Sequence, residues 1–241
     1  MQYGKHISLE IKGFLETSLI DWDGKIVCVV FLPGCNFRCP FCHNAGLFEH
    51  PEKYKTIPEE RVFKYLGSHE DFIDGVCITG GEPTMHKNKG LTEFIKKVKK
   101  LGFLVKLDTN GADPAYIKEL VHQKLIDYVA MDLKAPLEAY NKASNVKVDI
   151  MKIKESIDFL LSGEIDYEFR TTIVPTIFGL EEIEDAAQLI SGAKKYALQQ
   201  FEPEHCNDIE LKKLKPADIE TVTDMMDIAK IYVKNVVYRG K

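Results

Sequence analysis

Residues 26–44 read IVCVVFLPGCNFRCPFCHN, an apolar run that ends in proline and glycine and is followed at once by three cysteines. A continuous apolar run bounded by turn residues is typical of a buried strand. Cys35, Cys39 and Cys42 then follow with the spacing C-x3-C-x2-C, on the loop that leaves this strand. Three thiolates suit a metal centre and are one short of the four that usually fill an iron-sulfur cluster, so one coordination position would be left for another ligand.

The 241-residue chain has the apolar and charged content of an ordinary globular protein. We predict a single domain over residues 1–241, with an N-terminal extended segment over 1–24, a core over 25–203 and a C-terminal helix with an edge strand over 204–241. No uncharged apolar run approaches the roughly 20 residues that a membrane span requires. The formal net charge of −5 weighs against binding to nucleic acid. We therefore expect a cytoplasmic protein with neither a membrane nor a nucleic acid partner.

The six cysteines divide into three groups: the loop triplet, two in apolar runs and Cys206. With no apolar leader at the start of the chain, we expect reduced thiols and metal chemistry rather than a disulfide framework. Cys28 and Cys77 lie inside apolar runs and are predicted to be core residues. Cys206 lies in a polar stretch, and its role is left open, as are the roles of His205 and Glu202.

Strand and helix patterns alternate along the rest of the chain. After the strand at 25–32, strands are predicted at 75–79, 103–107, 127–131, 167–174 and 196–201, with an edge strand at 231–238. Helical patterns lie between them. The spacing from Thr56 to Glu59 predicts a capping box that opens the first of these helices, and Asp113-Pro114 predicts the start of another.

Such alternation requires parallel strands joined by right-handed crossovers. A complete eightfold barrel takes about 250 residues for its eight units, whereas this chain spends its residues on about six. We therefore predict an α/β fold, a partial (β/α)6 TIM-like barrel that is laterally open and is preceded by an N-terminal extended hairpin segment. Functional residues should then lie at the C-terminal ends of the strands.

Polar residues do follow the predicted strands. The second strand ends in Gly80-Gly81-Glu82, the third in Asp108, the fourth in Asp132 and Lys134, and the fifth carries Arg170. Paired glycines let a backbone approach a ligand closely, although taken alone such a pair is more often a simple turn. Each charged residue alone is typical of a solvated or ion-paired group. Their recurrence at successive strand ends instead favours a ligand pocket.

These motifs carry a family resemblance. The cysteine spacing, with an aromatic residue before the last cysteine, resembles the signature of the radical S-adenosylmethionine (SAM) enzymes, and Gly80-Gly81-Glu82-Pro83 resembles their motif for the SAM amino group. Cys42-His43-Asn44, Asp108-Thr109-Asn110-Gly111 and Asp132-Leu133-Lys134 are similar to segments of the glycyl-radical-enzyme activating enzymes. The resemblance extends in particular to the longer activating proteins of anaerobic ribonucleoside-triphosphate reductase.

The resemblance implies a [4Fe–4S] cluster on Cys35, Cys39 and Cys42, with SAM chelating the fourth iron. It further implies that SAM is held by these residues: Phe41, Gly80, Gly81, Glu82, Asp108, Asp132, Lys134 and Arg170. Phe41 would pack near the adenine, and Asp108 and Asp132 would flank a monovalent cation beside the SAM carboxylate. No residue is expected to serve as a general acid or base.

The implied reaction begins when a flavodoxin- or ferredoxin-type donor reduces the cluster. SAM is then cleaved to methionine and a 5′-deoxyadenosyl radical, which takes the α-hydrogen from a glycine of a partner glycyl radical enzyme. That chemistry belongs to the cofactors, and the protein must orient them and exclude competing reactants.

Four other interpretations remain open. The chain could activate pyruvate formate-lyase or another glycyl radical enzyme, or act on a small molecule as the 7-carboxy-7-deazaguanine synthases do. It could also be an iron-sulfur electron-transfer protein without substrate chemistry. A structural zinc site on the three cysteines and His43 is a further alternative, but adjacent Cys42 and His43 would struggle to bind one ion together.

Overall fold

The computed structural model describes residues 8–240, so residues 1–7 of the predicted extended segment lie outside the described residues. The described strands are β1 Gly13–Ser18, β2 Val27–Leu32, β3 Gly75–Gly80, β4 Leu104–Thr109, β5 Tyr128–Asp132, β6 Asp166–Ile173, β7 Tyr196–Gln200 and β8 Val236–Arg239.

Helices lie between most of these strands. In the described part of the chain they are α1 Gly46–Glu49, α2 Glu59–Ser68, α3 Thr92–Lys100, α4 Pro114–His122, α5 Tyr140–Ser144, α6 Ile150–Leu161, α7 Leu180–Leu189 and α8 Ile219–Ala229. The predicted alternation of strands and helices is therefore confirmed.

The chain forms two compact units. The first comprises the residues up to Asn36, Gly46–Thr109 and Ala115–Val129, and the second comprises Phe37–Ala45, Asn110–Pro114 and the residues from Ala130 onward. The single domain over residues 1–241 stays a prediction.

In the first unit β1 and β2 form an antiparallel hairpin, and β2, β3 and β4 are parallel. Gly24 takes a left-handed φ of 74° in the hairpin turn, where the Lys25 amide donates to the Trp22 carbonyl at 3.0 Å. The β2 side chains from Val27 to Val30 are completely buried. Burial on both faces is the usual state of a parallel strand covered by helices, and it explains why this segment is continuously apolar.

Helix α2 is not capped as predicted, since it begins at Glu59 with Pro58 as its N-cap residue. Thr56 makes no cap, because its hydroxyl instead accepts from the Lys12 ammonium at 3.0 Å. The buried Glu59 carboxylate accepts from the Leu9 amide at 2.6 Å and from the Lys97 ammonium at 2.8 Å. The predicted capping box is therefore wrong, since both of its side chains bind other segments of the first unit.

In the second unit β6, β7 and β8 are parallel. The predicted last strand starts too early, at residue 231, whereas β8 starts at Val236. The reason is that the turns after α8 continue beyond Ala229, with the Ile231 amide donating to Ile228 and the Val233 amide donating to Ala229. Amphipathic spacing does not separate such a final turn from the strand that follows.

A buried ion cluster joins these three strands. Glu168 of β6 is 1% exposed, and its carboxylate accepts two hydrogen bonds from the Arg239 guanidinium at 2.9 and 2.7 Å. The Lys195 ammonium lies 3.2 Å from the same carboxylate. The two cations offset the cost of burying Glu168, and they link β8 to the strands before it.

The strand order in the sheet follows the chain from β1 to β8, and the end strands β1 and β8 are not neighbours in that order. The sheet is thus open. Within residues 8–240, no helix is both long enough and apolar enough to cross a lipid bilayer.

Candidate active site

The cysteine loop begins where β2 ends. Gly34 adopts a left-handed φ of 77°, and its amide donates to the Leu47 carbonyl at 2.9 Å. Nε2 of His86 lies 2.7 Å from the Pro33 carbonyl oxygen, to which it donates. His86 is 3% exposed, and burial lowers its pKa, so the ring is neutral. These contacts fix the backbone on which Cys35 lies.

The glycine pair after β3 is packed against this same backbone. The Gly81 amide donates to Leu32 at 2.9 Å, and the Glu82 amide donates to Gly34 at 2.8 Å. A Cβ atom on Gly81 would lie 1.7 Å from the Gly34 carbonyl oxygen, which is impossible without moving the backbone. Gly80 has a φ of 118°. Both glycines therefore have a structural function, which is to let the end of β3 lie against the start of the cysteine loop.

The Glu82 side chain is 1% exposed and held by several donors. Its Oε1 atom accepts from the Thr84 amide at 3.1 Å, from the Thr84 hydroxyl at 2.6 Å and from the Thr109 hydroxyl at 2.7 Å. Thr109 is the last residue of β4 and Glu82 follows β3, so the ends of these two strands are joined through the Glu82 carboxylate. The predicted residue Glu82 is thus a preorganised acceptor in the first unit.

Asp108 lies two residues from a buried lysine on β4. The Lys106 ammonium is 3.4 Å from Asp108 Oδ1. The side chains of Lys106 and Asp108 are 2% and 8% exposed. The monovalent cation expected beside Asp108 stays a prediction.

The segment after β4 continues as a turn in the second unit. The Asn110 side chain accepts from the Ala112 amide at 3.1 Å, and the Gly111 carbonyl accepts from the Ser156 hydroxyl at 2.7 Å. Gly111 has a φ of 77°. Asn110 and Gly111 therefore shape the loop.

The other two cysteines lie on a turn of the second unit, where the Cys42 amide donates to the Cys39 carbonyl at 3.1 Å. The Arg38 amide donates to the Ser144 carbonyl at 2.8 Å, which ties the loop to α5. Phe41 is 5% exposed. Burial raises the pKa of Cys39 to about 11, against the opposing effect of the nearby Lys134 ammonium.

Asp132, Lys134 and Arg170 form one network in the second unit. Asp132 Oδ1 accepts from Arg170 Nε at 2.8 Å, and Oδ2 accepts from Lys134 Nζ at 3.0 Å. Burial opposes the charge of Asp132, but the two cations hold its pKa well below the usual range. Burial likewise opposes the charge of Lys134, whose pKa is nevertheless raised by Asp132 and by Cys39. The three predicted residues therefore come together as a stably charged group beside Cys39.

The segment after β7 meets the cysteine loop within the second unit. The Asp208 amide donates to the Pro40 carbonyl at 3.3 Å, and the rings of His43 and His205 lie 5.9 Å apart. The Cys206 thiol is buried and donates to the Pro203 carbonyl at 3.0 Å, so it stabilises this turn.

A cavity of about 210 Å³ lies beside the same segment, lined by Gln200, Phe201, Glu202, Pro203, Glu204 and Pro216. The sequence indicates no role for Glu202 or His205. Both lie in the segment that packs on the cysteine loop.

Several residues that support the site have no signal in the sequence. His86, Lys106, Thr109 and Tyr140 are buried polar residues that hold loop or strand-end groups, with the Tyr140 hydroxyl donating to the Asp132 carbonyl at 3.3 Å. Only Thr109 fell inside a motif. His86, Lys106 and Tyr140 are identified only by their tertiary contacts, which hydrophobic periodicity does not predict.

The donor atoms fit the implied cofactors. All six cysteines are free thiols. Lys134 beside Cys39 partly offsets the effect of burial, which disfavours the thiolate form that binds iron. Glu82 and the Asp132 network provide fixed charges, each within its own unit. Among residues 8–240, no three His, Cys, Asp or Glu side chains are grouped so as to hold a single metal ion.

Comparison with known proteins identifies the relatives of the chain. A model of the radical SAM superfamily matches residues 29–190. A Methanocaldococcus jannaschii protein provisionally named a glycyl-radical enzyme activating enzyme is 38% identical over 235 residues, 95% of this chain and 95% of that protein. The pyruvate formate-lyase-activating enzyme of Clostridium pasteurianum is 27% identical over 215 residues, 85% of this chain and 84% of that enzyme.

Among solved structures, Streptococcus suis SuiB bound to its precursor peptide SuiA superposes with a TM-score of 0.65 at 15% identity. The match covers 89% of this chain and 48% of the SuiB chain. This likeness concerns the fold alone. With the open strand order, it confirms the predicted α/β fold with an open sheet.

Proposed function

The chain belongs to the radical SAM superfamily, and on that premise we propose that it activates a glycyl radical enzyme. As a superfamily member it is an enzyme that uses a [4Fe–4S] cluster and SAM. The observation that carries the proposal is the similarity along 95% of the chain to a relative named as an activating enzyme of this kind. The 27% identity to a pyruvate formate-lyase-activating enzyme supports the same reaction class.

The partner we propose is an anaerobic ribonucleoside-triphosphate reductase. This part of the proposal rests on the segments Cys42-His43-Asn44, Asp108-Thr109-Asn110-Gly111 and Asp132-Leu133-Lys134. Pyruvate formate-lyase is the main competing partner. We further propose a cytoplasmic location and a flavodoxin- or ferredoxin-type electron donor.

Cys35, Cys39 and Cys42 would hold the cluster through three thiolates. When bound, the cluster and SAM supply a one-electron cleavage of the sulfonium, which releases methionine and yields a carbon radical able to take the hydrogen atom from Cα of a glycine. The Gly34–Gly81 packing and the Cys39–Cys42 turn each fix part of the cysteine loop before any cofactor binds. Such preorganisation limits how far each part of the loop must rearrange when the cofactors bind.

Glu82 would accept the SAM amino group. Its Oε1 is already bound by Thr84 and Thr109, which aim the carboxylate and leave little freedom to rotate. Lys134 would neutralise the SAM carboxylate, while Asp132 would bind the ribose hydroxyls. Arg170 would then act as a positioning residue, because it donates to Asp132 and holds its pKa low.

Phe41, 5% exposed, would pack against the adenine. None of these groups needs to transfer a proton, because the reaction moves an electron and a hydrogen atom. The residues bind, orient and shield the reactants, and they supply no general acid or base.

The experiment is an anaerobic assay in which the reconstituted protein, SAM and a reductant are mixed with purified anaerobic ribonucleoside-triphosphate reductase. We expect an electron paramagnetic resonance signal of a glycyl radical on the reductase, with one 5′-deoxyadenosine formed for each radical. The same assay with pyruvate formate-lyase tests the competing partner. SAM cleavage with no radical on either protein would contradict the proposal.

Two cysteine variants make a matched pair for this assay. Cys42→Ser should lose the cluster and the radical signal. Cys206→Ser should keep both, because a serine hydroxyl can also donate to the Pro203 carbonyl. Iron and sulfide analysis of the two variants separates an iron-sulfur protein from a zinc protein, which would contain no acid-labile sulfide.

The remaining alternatives have distinct outcomes in the same experiments. A superfamily member acting on a small molecule would cleave SAM only when that molecule is present, and would do so without a protein partner. A pure electron-transfer protein would be reduced and reoxidised without forming 5′-deoxyadenosine.

A further inference from the structure

Leu133 lies between two of the proposed SAM-binding residues, and both of its backbone groups are bound to β6. Its amide donates to the Arg170 carbonyl at 2.8 Å, and its carbonyl accepts from the Thr171 hydroxyl at 3.1 Å. Because β5 ends at Asp132, these two bonds continue the attachment to β6 beyond the end of the strand. They therefore fix the backbone from which the Asp132 and Lys134 side chains extend.

The Thr171 hydroxyl has a second partner in the second unit. Thr171 is 1% exposed, and its hydroxyl accepts from the Tyr196 hydroxyl of β7 at 2.8 Å. Tyr196 is completely buried, and burial raises its pKa, so the phenol stays protonated and donates. A threonine hydroxyl that accepts one hydrogen bond keeps its own hydrogen to donate. Tyr196 therefore aims the Thr171 hydroxyl at the Leu133 carbonyl.

Arg170 and Thr171 hold this segment from opposite faces of the sheet. Successive side chains of a strand point to opposite faces, so the Arg170 guanidinium and the Thr171 hydroxyl lie on different sides of β6. Arg170 Nε donates to the Asp132 carboxylate at 2.8 Å, and this carboxylate also accepts from Lys134 Nζ at 3.0 Å. The ion network thus fixes the two charged side chains, whereas Thr171 fixes the backbone between them.

We propose that Thr171 is a positioning residue for SAM, which sets the spacing between the Asp132 carboxylate and the Lys134 ammonium group through the Leu133 carbonyl. The inference rests on the proposed SAM-binding roles of Asp132 and Lys134. A buried carbonyl that loses its donor is unfavourable, so without the hydroxyl the segment after β5 would shift to satisfy it. Such a shift would move both charged side chains away from the geometry that binds SAM.

The test measures the SAM affinity of anaerobically reconstituted variants by equilibrium dialysis. Thr171→Val keeps the shape of the side chain but removes the hydroxyl, and we expect a dissociation constant about tenfold larger than that of the wild type. Thr171→Ser keeps the hydroxyl and should stay within about twofold of the wild type. An unchanged affinity in Thr171→Val, or an equal loss in the valine and serine variants, would overturn the proposal.

A pair of tyrosine variants tests the other end of this hydrogen-bond chain. Tyr196→Phe removes the group that aims the Thr171 hydroxyl, and we expect a smaller loss of SAM affinity, about threefold. Tyr167→Phe is the matched control on β6. The Tyr167 hydroxyl accepts from the Lys194 amide at 3.3 Å, so its removal should leave SAM affinity unchanged. Equal losses in the two variants would contradict the proposal.

The Tyr196→Phe variant decides the question if Thr171→Val fails to fold, because the phenylalanine ring still fills the same space. An unchanged SAM affinity in Tyr196→Phe would then overturn the proposal.

The Asp132→Asn variant separates failure of this inference from failure of the proposed SAM-binding roles. If Asp132→Asn weakens SAM binding and Thr171→Val does not, the positioning role of Thr171 alone is wrong. If neither variant weakens SAM binding, the role of Asp132 is wrong as well. These affinities are measured without a partner protein, so the outcome of the glycyl radical assay does not affect them.

Discussion

Glu82 places a single oxygen atom at the meeting point of two strand ends. Three donors from two threonines converge on Oε1, so the carboxylate has one well-defined orientation in the absence of any ligand. Charge-assisted hydrogen bonds of this kind are each worth about 1.5–3 kcal/mol when the partner is charged. The orientation of Glu82 therefore depends on its neighbours as much as on its own backbone.

The first prediction follows from this arrangement. Thr109→Val removes one donor from Glu82 without changing the size of the side chain. We expect a loss of about 1–2 kcal/mol in the free energy of unfolding and about a tenfold weaker affinity for SAM. Urea unfolding and equilibrium dialysis measure the two effects. Thr56→Val is the control: its hydrogen bond from Lys12 is exposed, so we expect a change of less than about 0.5 kcal/mol in the free energy of unfolding and no change in SAM affinity.

His86 predicts a pH dependence of stability. Its pKa is lowered from 6.5 by burial, and its Nδ1 atom has no hydrogen-bond partner among the described residues, so only the neutral ring suits the folded state. An unfolded histidine takes up a proton as the pH falls through about 6.5, and protonation then favours unfolding. Stability should be complete above that pH and decline below it.

Unfolding free energies at pH 8 and pH 5.5 measure this decline. His86→Gln can still donate to the Pro33 carbonyl and does not titrate, so its stability should fall less over the same interval. An equal decline in the wild type and the variant would assign the effect to other groups.

At the scale of elements, the contact between the end of β3 and the cysteine loop should be the most sensitive to an added methyl group. Gly81→Ala would bring a Cβ atom to 1.7 Å from the Gly34 carbonyl oxygen. We expect the loop to be displaced and the reconstituted protein to hold less than half of the iron of the wild type. Iron and sulfide analysis after reconstitution is the measurement.

Gly67→Ala is the matched control for that variant. Gly67 lies in α2, and a Cβ atom there would meet nothing within 4 Å. Alanine in a helix is favoured over glycine by about 1 kcal/mol, so this variant should be as stable as the wild type or more stable, with full iron content. Equal iron content in the two variants would show that the β3 contact does not position the cysteine loop.

The buried ion cluster makes β8 depend on one arginine. Arg239→Met removes two charge-assisted hydrogen bonds from the buried Glu168 carboxylate, and we expect a loss of about 3 kcal/mol in the free energy of unfolding. Arg61→Met is the control, because Arg61 pairs with Glu16 on the surface, where such pairs contribute less than about 1 kcal/mol. Similar losses in both variants would mean that the buried ion cluster stabilises the protein no more than a surface ion pair does.

At the scale of the whole molecule, binding of the iron-sulfur cluster should stabilise the folded chain. A ligand that binds only the folded chain stabilises it, and thiolate ligation is available only after folding has brought the loop into place. We expect the thermal midpoint of the reconstituted protein to exceed that of the chelated protein by several degrees under anaerobic conditions. The Cys28→Ala variant is the control and should show the same difference in thermal midpoint. Identical midpoints for the reconstituted and the chelated wild-type protein would contradict the prediction.

Much of the fold could be predicted because its signals are local. Continuous apolar runs located β2 and β3 within two residues. The α/β class with an open sheet followed from the alternation and from the length of the chain. The predicted cap at Thr56 was wrong because Lys12 donates to the Thr56 hydroxyl. The predicted start of β8 was wrong because helical turns continue beyond Ala229.

The candidate site likewise contains some residues that the sequence predicts and others that it does not. Its residue types could be predicted because cofactor ligands recur at strand ends and carry recognisable motifs. The supporting residues could not, because Lys106 and His86 look like ordinary polar residues until the chain brings Asp108 and Pro33 to them.

The distribution of sulfur in the molecule has a consequence for handling the protein. Cys28 and Cys77 are completely buried, and burial raises the pKa of Cys28 to about 12. A thiol in that state does not compete for iron, react with alkylating agents or form disulfides while the chain is folded. After exposure to air has destroyed a cluster, the damage is therefore confined to the loop cysteines, and a reductant with fresh iron and sulfide can rebuild the centre on an otherwise unaltered scaffold.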